Sequence, residues 1–224
     1  MTGLWGVGSY DDGAGRVAWE ISHDEMQRDI GSATTVLRDL GIGPGDRVLW
    51  CSRLSEAGQF WPFVLGTVLV GARVSSADAT TSDAARVAMF LRQLEYRAVM
   101  GVDDAVLDGL DELGLDAREV FGAVPLVGAR AGAYERLVAC GLAPCHVVLC
   151  GPAVAVARAP GGPARLDAAE WRAEASGGRI TVTSRNARAT RFDRTRTAIR
   201  GDVRDGGTEV AVRASAGDEQ GAAS

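Results

Sequence analysis

The sequence contains no lysine: all 24 of its basic residues are arginine. Chemistry that needs a side-chain primary amine is therefore excluded. Phosphate-loop NTPases, Schiff-base enzymes and pyridoxal phosphate enzymes fall together. Histidine is scarce as well, with His23 and His146 alone. No apolar run reaches the roughly 18 residues of a membrane helix, and no charged-then-apolar leader opens the chain. A formal charge of −5 argues against a nucleic-acid partner. The expectation is a cytoplasmic protein with no nucleic-acid and no membrane partner. Four cysteines in that setting read as free thiols rather than a disulfide framework.

What is present points to a globular α/β chain. At 224 residues, 46% hydrophobic and 24% charged, it can bury a proper core. The organising stretch runs from Leu37 to Ala72. A helix capped by Ser22, with Glu25 completing a capping box, ends at Leu40-Gly41. Gly43-Pro44-Gly45-Asp46 turns into the apolar run Arg47–Cys51, read as a buried strand. A second helix starts near Ser55 and closes at Gly71. Further strands are expected at 72–76, 97–102 and 123–127, with helices at 83–95, 103–113 and 134–139. This alternation predicts a mostly parallel sheet flanked by helices. Beyond His146 the pattern turns β-rich, ending in a hairpin around Asp205-Gly206-Gly207. The domain reading is a flexible lead-in over 1–15, an α/β subdomain over 16–145, a β-rich subdomain over 146–213 and a disordered tail over 214–224.

GIGPGDRV at 41–48, then a helix, then VGARVSSAD at 70–78, resembles the amino-terminal subdomain of the adenylate-forming enzymes, the acyl- and aryl-CoA ligases. Downstream come Cys150-Gly151-Pro152-Ala153-Val154-Ala155, Ala164-Arg165-Leu166, Glu170-Trp171 and GGRITVTSRNARATRFDRTRT at 177–197. Their order and spacing are similar to the phenylacetate-CoA ligase branch. The resemblance implies a compacted remnant of the ligase large domain, with a block lost between about Leu113 and Leu149.

The resemblance also implies an ATP and magnesium site, and here the chain departs from the pattern. No Ser/Thr/Gly-rich phosphate loop stands between Val102 and Cys150, and the catalytic lysine is missing. The glutamate that helps hold magnesium falls on Val148 and the ribose-binding aspartate on Ile199. From family position alone, Asp202 and Arg196 are the cofactor-binding candidates. The expectation is that no cofactor is bound, the ATP and magnesium site having been lost.

Four other groups invite attention. Cys140, Cys145, His146 and Cys150 are spaced C-x4-C-H-x3-C, and thiolate and imidazole are zinc ligands. Against this, structural zinc usually takes C-x2-C pairs, and the ordinary reading is buried thiols. Cys51 with either histidine is a candidate nucleophile pair; His23, in the first turn of a helix, reads as exposed. Arg185, Arg188, Arg191, Arg194, Arg196 and Arg200 form a candidate anion or CoA surface, weighed against a solvated strand edge. Trp50 and Trp61 read as core, with Trp61 beside Pro62 as a candidate pocket wall.

The functional expectation is a ligase-like protein without ATP-dependent activity. It would bind a hydrophobic carboxylic acid, a CoA-like small molecule or a partner protein in a biosynthetic pathway. The alternatives are a repurposed ATP-independent enzyme, and an incomplete subunit that needs another chain. Homodimerisation belongs to the same expectation, because a trimmed fold bares apolar surface.

Overall fold

The computed structural model describes residues 3–213. The chain opens with strands β1 (Leu4–Asp11) and β2 (Arg16–Ser22), an antiparallel pair outside the main sheet. This corrects the expected lead-in over 1–15. Helix α1 (His23–Asp39) follows, and its capping box is present: Ser22 N–H donates to Glu25 Oε2 at 2.6 Å and Glu25 N–H to Ser22 Oγ at 3.3 Å. The tail expected over 214–224 lies outside the described residues.

The α/β half then follows in order: β3 (Arg47–Cys51), α2 (Ala57–Leu69), β4 (Arg73–Ala77), α3 (Ala84–Gln93), β5 (Ala98–Val102), α4 (Asp104–Glu112), α5 (Ala117–Phe121), β6 (Leu126–Ala129), α6 (Ala131–Ala139) and β7 (Cys145–Cys150). The five strands are parallel, in the spatial order β7-β6-β5-β3-β4. Alternation divides β3 between two cores. Val48 and Trp50 pack with α1 and α2, whereas Leu49 and Cys51 pack with α3 to α6. Helices therefore cover both faces. The stretch from Leu113 to Leu149, in which the resemblance implies a lost block, holds α5, β6 and α6.

After β7 the sheet turns antiparallel through β8 (Ala153–Ala157), β9 (Ala164–Arg165), β13 (Glu209–Val212), β12 (Thr195–Arg204), β11 (Arg179–Ser184) and β10 (Trp171–Ser176). All eleven strands form one sheet, which runs unbroken through the expected boundary at residue 145. A third core, between this β-rich part, β1, β2 and α1, includes Tyr10, Trp19, Met26, Ile180 and Phe192.

One glycine is fixed by backbone geometry. Gly101 sits at φ 83° where the register of β5 shifts between Met100 and Val102. A Cβ there would lie 2.3 Å from the Cys51 carbonyl oxygen. Gly101→Ala is expected to destabilise the fold by more than about 1 kcal/mol in urea unfolding. A variant as stable as the parent would mean that β3 and β5 can separate at this point without loss.

Candidate functional site at the carboxyl edge of the parallel sheet

The chain leaves β3 outward to β4 and then returns to β5 on the other side of β3. In a doubly wound sheet such a switch point opens a crevice at the carboxyl ends of the strands, where ligands gather. Here four charged side chains occupy it. Arg53 follows β3, Glu56 precedes α2, Asp103 follows β5, and Arg130 follows β6. Arg130 grips Glu56 with both guanidinium nitrogens, Nη2–Oε2 at 2.6 Å and Nη1–Oε1 at 2.8 Å. The same Nη1 reaches Asp103 Oδ2 at 3.2 Å, and Arg53 Nη2 donates to that oxygen at 2.9 Å. Arg53 Nε is held by the Ala79 carbonyl at 3.1 Å, and the Arg130 guanidinium lies 5.2 Å from the Phe60 ring centre. The four charges cancel, so the clasp is neutral as a unit.

Asp103 also caps α4, accepting from Ala105 N–H at 3.0 Å and from Val106 N–H. Burial nevertheless raises its carboxyl pKa above the usual range, outweighing the opposing pull of Arg130 and Arg53.

Clefts flank the clasp, and Arg53, Leu149 and Ile199 line both. The first, about 230 Å³, adds Tyr10, Arg16 and Gln59. The Gln59 side chain is 3% exposed and its Nε2 donates to the carbonyls of Ser9 and Gly151, each at 3.1 Å. Its Oε1 is buried and has no hydrogen-bond partner among the described residues. Arg16 is aimed by Ser55 Oγ at 2.8 Å. The second cleft, about 320 Å³, adds Asp103, Arg130, Val147 and Val148. Val148 and Ile199, the positions that the resemblance assigns to a magnesium glutamate and a ribose aspartate, thus do line the cleft walls.

The other candidates fall elsewhere. Asp202 is engaged by Arg213 at 3.0 Å on β12, and Arg196 is exposed on the same strand; neither lines either cleft. The weaker candidate for a metal site, Cys140, Cys145, His146 and Cys150, does not converge. Cys145 and Cys150 stand at opposite ends of β7, about 17 Å apart at strand rise, and lie in different cores. The His146 ring stacks on Tyr134 at 3.4 Å. Among the described residues no three His, Cys, Asp or Glu side chains are grouped to hold a metal ion. Burial pushes the Cys51 and Cys150 thiols up to about 12 and Cys145 to about 11, so these thiols are protonated at neutral pH and are poor nucleophiles.

The arginine run divides. Arg188, with a side chain 3% exposed, forks onto Asp29 at 2.6 and 3.0 Å, bonds Glu170 at 2.8 Å and lies 4.3 Å from the Trp171 ring centre. Arg191, Arg194, Arg196 and Arg200 are exposed. Trp50 is core, donating to Thr67 Oγ1 at 3.1 Å, whereas Trp61 is 43% exposed. The clasp residues were not singled out from sequence. The usable signal was position: Arg53, Asp103 and Arg130 are each the first charged residue after an apolar strand.

No family model matches the sequence, and no curated protein matches it. Solved structures do. An open conformation of 2-hydroxyisobutyryl-CoA ligase in complex with 2-HIB-AMP and CoA superposes with a TM-score of 0.61 at 13% identity, over 92% of this chain and 55% of the ligase. ATP-bound MatB from Rhodopseudomonas palustris gives 0.58 at 16%, over 94% and 48%. A variant of E. coli MenE with bound OSB-AMS gives 0.55 at 14%, over 94% and 47%. The chain spans about half the length of the structures it matches. Its fold, a large central sheet flanked by helices, is that of the adenylate-forming ligase domain.

Two measurements check the site's chemistry. In native protein a thiol reagent should modify the half-buried Cys140 and spare the other three cysteines until unfolding; rapid modification of Cys51 would break this account. For Asp103 the fold favours the protonated acid, so ionisation weakens the fold as pH rises through the raised pKa. The wild type is therefore expected to gain stability relative to Asp103→Asn as pH falls from neutral through the carboxylate range. The opposite slope would mean that the two arginines outweigh burial.

Proposed function

We propose that this chain is a ligase-like binding protein for acyl or aryl carboxylic acids, and that on its own it does not form acyl-adenylates. The observation that carries the reading is the composition of the paired clefts. Arg53 presents a guanidinium to both, beside apolar walls of Leu149 and Ile199. An amphipathic monoacid suits this arrangement, its carboxylate on Arg53 or Arg16 and its tail along the apolar wall. The residues present do not suit a magnesium nucleotide. Val148 and Ile199 carry no oxygen to offer a cation or a ribose, and no lysine is available for the phosphates. In this reading the chain is a degenerate relative of the phenylacetate-CoA ligase branch, placed in the cytoplasm and in a biosynthetic pathway by proposal.

A second reading is an incomplete subunit completed by a partner chain or a second copy. It draws on Leu54, 87% exposed beside the clasp, and on Val7 and Leu4, 68% and 53% exposed.

Thermal unfolding against aryl and fatty acids, CoA, and ATP with magnesium tests the proposal. An aryl or fatty acid is expected to raise Tm by several degrees, an effect abolished in Arg53→Gln, whereas ATP with magnesium produces no rise that depends on Arg53. A comparable rise with ATP and magnesium that Arg53→Gln abolishes would sink the reading.

A further inference from the structure

The opposite edge of the parallel sheet carries charge that no ion pair among the described residues neutralises. Arg47 and Arg73 are register partners at the first positions of β3 and β4. Arg97 N–H bonds the Arg47 carbonyl at 2.9 Å, one residue before β5 pairs Ala98 with Val48. Three arginines thus stand side by side across three adjacent strands, about 4.8 Å apart at ladder spacing. Arg92, in the last turn of α3, overhangs the same edge, and Arg38, in the last turn of α1, stands near it.

Among the described residues, none of these five has a carboxylate within ion-pair distance. Like charges at neighbouring ladder positions repel and destabilise. Helix dipoles account for Arg38 and Arg92, at the ends of helices. They do not account for Arg47, Arg73 and Arg97, at the starts of strands. A chain with 29 acidic residues that pairs Arg53, Arg130 and Arg188 so thoroughly leaves this row open.

The row borders a groove of about 760 Å³ between the end of α3 and the starts of β3, β5 and β6. Arg47, Arg92 and Arg97 line it, with Tyr96 as one wall, and the Arg47 guanidinium lies 5.7 Å from that ring's centre. Asp46 and Glu95 also line it, but Asp46 is engaged by the Gly43 N–H at 2.8 Å, and arginine remains in excess.

We propose that this groove is a binding site for a diphosphate-bearing ligand. Planar guanidinium groups bond phosphoryl oxygens two at a time, and adjacent guanidiniums match adjacent phosphoryl groups better than a single carboxylate does. Binding would discharge the repulsion within the row, so the ligand stabilises the fold as well as the complex. The site lies at the opposite end of the strands from Arg53 and is independent of the carboxylic-acid reading.

Thermal unfolding in low-salt buffer, with inorganic pyrophosphate and separately with CoA, tests it. A rise of several degrees with both assigns recognition to the diphosphate itself. A rise with CoA alone assigns it to a diphosphate carried on a nucleotide. Either rise should vanish in the Arg47→Gln, Arg97→Gln double variant and persist in Arg200→Gln, which removes an exposed arginine of β12 outside the groove. If the double variant does not fold, Arg92→Gln, on an exposed side chain, should at least halve the rise. No rise with either ligand in the wild type, or a rise undiminished by the groove variants, overturns the proposal.

Discussion

The Arg130–Glu56 fork is the contact on which the site depends. It joins the end of β6 to the start of α2 and so spans the ends of β5 and β3 lying between them. The helices on the two faces diverge at this point, and an unfilled crevice would admit water against Phe60 and Cys51. The side chains of Arg130 and Glu56 are 14% and 9% exposed, and deleting either partner from such a buried pair costs about 3–5 kcal/mol. Asp103 then has two arginines to satisfy, and Arg53 is drawn across the crevice to meet it. Arg53 therefore faces two clefts, its reach set by a partner on another strand rather than by its own loop.

A second fork does for the two halves what the first does for the crevice. Arg188 lies in the loop between β11 and β12, yet its carboxylates come from Asp29 on α1 and from Glu170 just before β10. Arg28 holds the other Glu170 oxygen at 2.8 Å. Helix α1 is thereby tied to both cores that it touches, by apolar contacts toward β3 and by ions toward the β-rich half. Trp171 under the Arg188 guanidinium makes the junction dry on one side. With β12 paired to β11 at one end and to β13 at the other, the expected boundary at residue 145 becomes a change from parallel to antiparallel pairing within one sheet.

What was legible in the sequence follows from range. Elements between Ser22 and Val102 have strong local periodicity, and the expected strands and helices there match within one or two residues. Strand β1 was missed because its glycines, Gly6 and Gly8, carry no pattern; Gly8 is needed where Trp19 packs on it. Helix α5 is five residues long, too short to show a period. Strand β10 reads WRAEAS, four of its six residues alanine or charged, and holds through its pairing with β11. The clasp joins residues 27 to 74 positions apart, a distance over which charge pattern carries no information. In the Cys/His group the converse holds: Cys145 and Cys150, five positions apart in sequence, are drawn to opposite ends of the extended strand β7.

Arginine-only composition has one further consequence. A guanidinium can fork onto one carboxylate and still reach a second, as Arg130 does with Glu56 and Asp103; an ammonium has no such planar geometry. Charges at the carboxyl edge of the sheet can thus be closed into a neutral set whose Arg53 still faces both clefts, with Arg16 beside it in one and apolar walls in each. At the amino edge the strands begin with arginine in register, and among the described residues no acidic side chain pairs with them. The two edges of one sheet consequently ask for different ligands. The first suits a monovalent, largely apolar acid. The second suits a compact polyanion, and repulsion along the ladder makes its empty state the costlier one.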